Sequence, residues 1–390
     1  MIERLLCMSE ETLRIMIATD LHYLSKKIND GGEAFANTIA KGDGKVMMYI
    51  EEIIEAFCDE VRKRRPDVLI LLGDLSFNGE KISHIELSKK LEKIVETGIS
   101  VYLIPGNHDI NYERCFGFCD NEIYKVDSVN AEEFREIYAA CGYKQMDYFD
   151  KYSGSYASKL TDDLYLLMLD TNSYFSNYLC EESFDWLERV LEEISKKGAN
   201  ILAVSHQNLL EQNFMFTEGF MIKNAERIEE IYGKYNVKLN LSGHMHIQHI
   251  EKNIVSEIVT SSLAVSPNHF ANIIYDGNSF EYWTECLNVD TVEDFVSISK
   301  QEFEGVGSRQ LTKLFNTHTF ENEDEADKNK MGRAFIKMNE SYFAGEIFDA
   351  EGFEEGIRLW EEQPECFTSL YIKSILDSVF KEQNKFKIEL

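Results

Sequence analysis

Asp67-Val68-Leu69-Ile70-Leu71-Leu72-Gly73-Asp74 decides the fold: a branched apolar run stops at once on a glycine and a carboxylate. Such a run carries too little polarity for a half-exposed strand and reads as a strand covered on both faces. The glycine permits a sharp turn that swings the next residue back over the sheet end. The same phrase recurs on either side. Leu13–Thr19 leads to Asp20-Leu21-His22, and Ile99–Ile104 leads to Gly106-Asn107-His108-Asp109. Asn200–Ser205 leads to His206, and Val237–Leu241 leads to Gly243-His244-Met245-His246, with Leu164–Leu169 as a further strand candidate. Between them, Val46, Tyr49, Ile50, Ile53, Phe57 and Val61 mark one helical stripe, and Leu187, Val190, Leu191 and Ile194 mark another. Gly98 and Gly198 sit where C-terminal caps belong. Strands alternating with amphipathic helices predict an α/β architecture.

After Ser242 the texture changes. Shorter strands are expected at Val255–Thr260, Ala271–Tyr275 and Phe280–Trp283, with Asp276-Gly277 as a hairpin turn, which predicts a second, more antiparallel sheet. Beyond Leu287 the alternation ends. Thr291-Val292-Glu293-Asp294 has capping-box-like chemistry, and helix formers follow to the end. The expected domains are therefore 1–289 and a helical domain, 290–390; the acidic Glu321–Asp327 reads as a solvated helix start. Residues 111–157 hold eleven aromatics, which make either a local core or a cap that stacks a planar group over a site.

Composition narrows the partners. The chain has 390 residues, 44% of them hydrophobic and only 4 proline, so it can bury a sizeable core. Its net charge of −29 argues against a nucleic-acid duplex held by basic side chains. No apolar run approaches the ~20 residues of a membrane span. The first residues lack a signal-like apolar core, and the 8 scattered cysteines form no C-x-x-C. A cytoplasmic location with reduced thiols is expected, with no membrane partner.

The five polar strings carry the chemistry. Ligands in open α/β sheets bind at the carboxyl ends of strands, where all five strings fall. They hold five of the nine histidines. Asp20 with His22, and His244 with His246, are spaced i and i+2, so each pair can face a common point. Asp20, His22, Asp74, Asn107, His206, His244 and His246 mix carboxylate, imidazole and amide oxygen, which suits Mn, Fe or Zn rather than Mg or Ca. Seven ligands are too many for one tetrahedral ion and suit two ions sharing a carboxylate.

In their order and completeness the strings resemble the calcineurin-like metallophosphoesterases, whose motifs run D-x-H, G-D, G-N-H-[DE], H and G-H-x-H. The resemblance spans residues 20 to 246. It implies a four-layer α/β/β/α sandwich of two mixed sheets, here followed by the C-terminal α-helical domain. It also implies a dinuclear centre with one ion on Asp20, His22, Asp74 and His246 and the other on Asp74, Asn107, His206 and His244. His108 would lie over the phosphate, stabilising the transition state or protonating the leaving oxygen, with Asp109 orienting it. Within the family the chain looks most like bacterial cyclic-nucleotide phosphodiesterases with an extra helical domain, an impression to which Gly73–Glu80 contributes. It departs from some of them at Gln207-Asn208, where a second histidine and a proline are usual.

The expected function is a metal-dependent phosphodiesterase on cyclic nucleotides or similar small phosphodiesters. Attack would come from hydroxide activated by two ions, Mn or Fe first and Zn next. The alternatives are a broad phosphomonoesterase or nucleotide pyrophosphatase, or a non-catalytic scaffold of the same fold. The helical domain could cover the site, support a homo-oligomer or bind a partner. Surface or packing roles are expected for His84 and His318, while His249 and His269 are weaker candidates for lining the pocket. Gly42-Asp43-Gly44-Lys45 reads as a turn that either caps the first long helix or places Lys45 near an anion.

Overall fold

The computed structural model describes residues 12–317, 320, 323–363, 366–376 and 378–390. In chain order the strands are β1 (Leu13–Ala18), β2 (Val68–Leu71), β3 (Ser100–Leu103), β4 (Phe116–Cys119), β5 (Glu122–Lys125), β6 (Tyr148–Phe149), β7 (Tyr156–Lys159), β8 (Leu164–Leu169), β9 (Asn200–Ser205), β10 (Leu239–Ser242), β11 (His249–Lys252), β12 (Ser256–Val259), β13 (His269–Tyr275), β14 (Ser279–Cys286) and β15 (Lys385–Glu389). The helices are α1 (Glu33–Ile39), α2 (Ile50–Arg64), α3 (Lys81–Val95), α4 (Ala131–Ile137), α5 (Glu181–Ser195), α6 (Ala225–Lys234), α7 (Phe295–Phe315), α8 (Glu325–Ala344), α9 (Glu354–Glu362) and α10 (Phe367–Ile375).

One sheet runs β15-β14-β13-β1-β2-β3 and the other β11-β12-β10-β9-β8-β7-β6, with β4 and β5 as a separate ribbon. Both are mixed. β1, β2 and β3 are parallel while β13, β14 and β15 join antiparallel. In the other sheet β8, β9, β10 and β12 are parallel, and β6, β7 and β11 are antiparallel.

Strand alternation builds the layers. Leu166 and Met168 of β8 share a core with the first sheet and with Ile53, Phe57, Leu87 and Leu91 of α2 and α3. Their neighbours Leu167 and Leu169 face the opposite way, against Leu187, Val190, Leu191 and Ile194 of α5 and Ile228 of α6. Each α5 side chain in that stripe is buried and contributes about 2 kcal/mol by leaving water. The result is the expected four-layer α/β/β/α sandwich.

Three expectations need correction. The strands after Ser242 do not form their own antiparallel sheet. β11 and β12 extend one sheet and β13 and β14 the other, because an open edge at β1 or β10 would leave backbone donors and acceptors unpaired. The Thr291–Asp294 turn makes no capping box. Asp294 sits at the helix start with φ 55 and no side-chain cap bond, and burial of Phe295 fixes where α7 begins. The chain also does not end in helix, for β15 pairs with β14 and seats Phe386 opposite Tyr282.

Between α7 and β15 the helices build their own core. Met331, Phe335, Met338, Trp360 and Ile372 enclose Met245, Ile247 and Val259 from the α/β part. Of the aromatics in 111–157, Phe118, Phe134, Tyr138, Tyr143 and Tyr156 are core residues. The local-core reading holds for these five. Tyr112 is different and belongs to the site.

Candidate metal centre

All five strings lie beyond the carboxyl ends of β1, β2, β3, β9 and β10. The backbone there is forced into left-handed conformations that L-residues seldom adopt. Asp20, His22, Asp74, His244 and His246 have φ of 51, 47, 48, 70 and 60, and they are five of the twelve such non-glycine residues described. Strain of roughly 1–3 kcal/mol per residue persists only where surrounding structure enforces it, and it concentrates at functional sites. Hydrogen bonds supply the enforcement here. Asp20 N donates to Gly73 O at 3.1 Å and His22 N to Asp74 O at 2.9 Å, locking the first string onto the second.

The seven expected ligands converge. Asp20, His22 and His246 form one group, and Asp74, His206 and His244 another, each with its ligand atoms within 4.8 Å of one another. Asp74 stands between them. Its Oδ2 lies 3.9 Å from His22 Nε2, and its Oδ1 lies 3.4 Å from His206 Nε2. Asn107 Oδ1 is 3.1 Å from the same His206 nitrogen. His206 Nδ1 donates to Leu72 O at 2.9 Å and His244 Nε2 to Gly219 O at 3.0 Å. A carbonyl only accepts, so the lone pairs of these rings are on His206 Nε2 and His244 Nδ1.

The residues fit metal ions. Asp20 Oδ1 and His22 Nδ1 are buried without a hydrogen-bond partner. The Nε2 atoms of His22 and His246 face each other at 3.2 Å, and Asp20 Oδ1 is 3.3 Å from His246. A buried carboxylate oxygen left without a donor beside two imidazoles suits a cation among them.

Electrostatics agree. Burial, then the charge of Lys45, drives His22 well below the ordinary imidazole range, and burial takes His244 down to about 4. Both rings are thus neutral near pH 7, as metal ligands must be. Burial opposes ionisation of Asp74, but His206 and His108 outweigh it and hold this carboxyl well below the usual range. His206 differs: against the effect of burial, Asp74 raises it to about 9, so an ion held at its Nε2 would displace a proton.

His108 lies at the rim. Its Nδ1 is 3.0 Å from both Phe77 O and Asn78 Oδ1, its backbone N–H donates to Asp74 Oδ1 at 2.9 Å, and Tyr112 stacks on its ring at 5.0 Å. Asp109 does not hold the ring directly, contrary to expectation. Its carboxylate accepts from the backbone N–H groups of Leu75, Ser76 and Gly106 and from Ser76 Oγ, fastening the Asp74 loop to the Asn107 loop. The buried His84 lies near Ser76 Oγ, Tyr138 OH and Asp109 O, within 3.1 Å of each, and so takes the packing role expected of it. His318 lies outside the described residues.

Lys45 Nζ pairs with Asp43 at 2.7 Å, and Asp43 lies 3.9 Å from His246 Nδ1. The turn therefore places Lys45 beside the cluster. His249 and His269 are buried in β11 and β13, against Glu251 and Ser261. Neither belongs to the two groups. Sequence reasoning missed Asn78, the Gly219 carbonyl and the buried Glu257, whose carboxylate accepts from Leu209 N, Leu210 N and Ser242 Oγ behind two of the strings. Asn78 lay inside the noted Gly73–Glu80 stretch and Glu257 inside an expected strand, Val255–Thr260, but neither was marked for a role at the site. Gln207, next to His206, pairs its side-chain amide with that of Asn172.

Fold and paired ligand groups define the class: an α/β sandwich with places for two metal ions. The sequence profile of calcineurin-like phosphoesterases matches residues 13–248, more than half of the chain, which therefore belongs to that family. Among solved structures, a dimetal phosphatase from Danio rerio is similar at 12% identity and TM-score 0.51, covering 71% of this chain and 96% of its own. Purple acid phosphatase PPD1 from yellow lupin has 12% identity and TM-score 0.44, over 70% of this chain and 51% of its own. TT1561 of Thermus thermophilus has 11% identity and TM-score 0.40, over 71% and 100%. No curated protein sequence matches. Among the described residues, no helix is long and apolar enough to cross a membrane.

Proposed function

We propose that the chain is a phosphodiesterase acting on small diesters, with cyclic nucleotides as the substrate class. The observation that carries the reading is the position of Asp74, with its two oxygens turned to two separate ligand groups. Asp20, His22, Asp74 and His246 hold one ion, and Asp74, Asn107, His206 and His244 hold the other. The mixed nitrogen and oxygen set suits Mn or Fe, with Zn next. When bound, the ions neutralise charge on the phosphoryl oxygens and activate water.

The protein's own groups do the rest. Phe77 O accepts from His108 Nδ1, which places the mobile proton of the imidazolium on Nε2, the nitrogen that protonates the departing alkoxide. Asn78 and Tyr112 fix the ring's position, and Asp109 acts one step back by keeping the two loops together. A diester is favoured because Lys45 is already balanced by Asp43, leaving no spare cation there for the second charge of a monoester. Tyr112, half-buried against His108, offers a flat face to a planar group of the substrate such as a base.

The test is turnover of the Mn-loaded protein on bis(p-nitrophenyl) phosphate and on p-nitrophenyl phosphate, with a chelated control. Chelator-sensitive preference for the diester is expected. Preference for the monoester would replace this reading with a phosphatase, the activity named for the zebrafish relative. Inactivity on both substrates and on cyclic nucleotides would return the scaffold reading.

A further inference from the structure

Two of the ligands, His244 and His246, are held from outside the α/β layers. The acceptor for His244 Nε2 is Gly219 O, in the stretch 210–220, which contains neither helix nor strand. Such a stretch, with Phe214 57% exposed, keeps one conformation only if something ties it down.

The helical segment supplies the ties. Asn213, 4% exposed, donates from Nδ2 to Ser374 Oγ on α10 at 2.8 Å and to Tyr342 OH on α8 at 3.3 Å. Phe216 packs edge-on against Tyr371 and Phe367 of α10, with ring centres 6.0 and 6.4 Å apart. Inward, Phe216 meets Phe220 at 5.4 Å, and Phe220 lies 5.3 Å from His244. A second grip falls beside His246. Met245 and Ile247 are buried in the helical core, and Gln248 N donates to Phe343 O at 3.0 Å.

We propose that the C-terminal helical segment is a brace for the metal centre. Through Asn213 and Phe216, α8 and α10 fix the Gly219 carbonyl, which sets the tautomer and position of His244 and hence the affinity for the ion that His244 helps to hold. The inference rests on the ligand assignment above. Its physical basis is that an acceptor on the far N–H of a metal-bound imidazole orients the ring and raises its basicity, and losing such a partner weakens metal affinity 10–100-fold. Asn213, Phe216 and Ser374 are positioning residues, since none of them approaches the ligand atoms.

The test uses the full chain, stripped of metal and titrated with Mn²⁺ against a chromophoric chelator. The wild type should show two binding steps. In Ser374→Ala with Tyr342→Phe, and separately in Phe216→Ala, one step should weaken about tenfold while the other stays within twofold. Ser374→Thr, which keeps the hydroxyl, should restore wild-type affinity. Matching circular dichroism and metal-free melting exclude unfolding, and if Phe216→Ala loosens the fold the polar pair decides alone. Unchanged affinities, equal weakening of both steps, or fewer than two ions on the wild type would each overturn the brace. The readout contains no substrate. Selective weakening without any phosphoester turnover would sink the phosphodiesterase reading and leave the brace, and the opposite pattern would do the reverse.

Discussion

Substituting Gly106 by alanine adds one methyl group at a crowded point of the site, against atoms of two expected ligands. Its backbone is not left-handed, so space alone is at stake. A Cβ there would lie 2.7 Å from His206 Nε2, and nearer still to Asp74 Oδ1 and to the backbone nitrogen of Asp74, where ordinary contact begins at 3.4 Å. The side-chain atoms are expected ligands, and the third is backbone that cannot turn aside. The β3 loop must retreat by about 1 Å, taking Asn107 and His108 with it. Metal–ligand distances tolerate roughly 0.2 Å, and a misplacement of about 1 Å costs on the order of 100-fold in rate. We expect diester kcat/KM to fall at least about 100-fold, or about 2.7 kcal/mol, and the ion on Asp74, Asn107 and His206 to be lost on gel filtration. Elemental analysis and turnover on the Mn-loaded protein measure both. Gly305→Ala is the control, because its new methyl meets only the mobile end of Arg309. Two retained ions with activity within threefold of wild type would refute the crowding argument.

Three further outcomes are expected. Asp74→Ala removes the carboxylate shared by both groups and should leave the protein unable to hold two ions, read by elemental analysis; full occupancy would contradict the bridging position. His108→Ala should keep both ions and lose most turnover on diesters with poor leaving groups, with a smaller loss on p-nitrophenyl esters. Equal losses on the two would deny it the proton-donor role. Burial lifts Glu80 from 4.5 to about 7. Its folded form then binds the proton more tightly than the unfolded chain, so the stability that Glu80 contributes is fully present below about 4.5 and is lost as pH rises through about 7. At about 1.4 kcal/mol per pH decade the loss approaches ~3 kcal/mol by pH 8, and Glu80→Gln should abolish it in urea unfolding at pH 5 and pH 8. Parallel pH profiles for the two proteins would show that Glu80 does not titrate in this range.

Much of this site could be read along the chain because its ligands arrive in short strings that end strands. Val68–Leu71 is continuous in apolar character, Gly73 turns the chain, and Asp74 follows, so local chemistry alone puts a carboxylate at a sheet end. The same holds for Asp20 with His22 and for His244 with His246. Where the order of strings mattered, the family resemblance implied seven ligands in two sets, and the two groups seen in space, Asp20 with His22 and His246 and Asp74 with His206 and His244, each gather three of them. Sheet assignment was not legible after Ser242. β12 and β13 look alike in sequence, and only the unpaired edges of β10 and β1 decide which sheet each joins.

By itself, then, the sequence determined the strand ends, the glycine turns and the kinds of ligand atom, because each depends on residues within a few positions of one another. Tertiary structure alone decided how those atoms are held. Asp109 turned out to join two loops rather than steady His108, because the N–H groups of Leu75 and Gly106 meet only when β2 and β3 lie side by side. The tautomer of His244 depends on Gly219, and Gly219 depends on Ser374, some 155 residues further along the chain. No periodicity or motif encodes such a tie, since it arises from the packing of α10 against a loop that has no regular structure of its own.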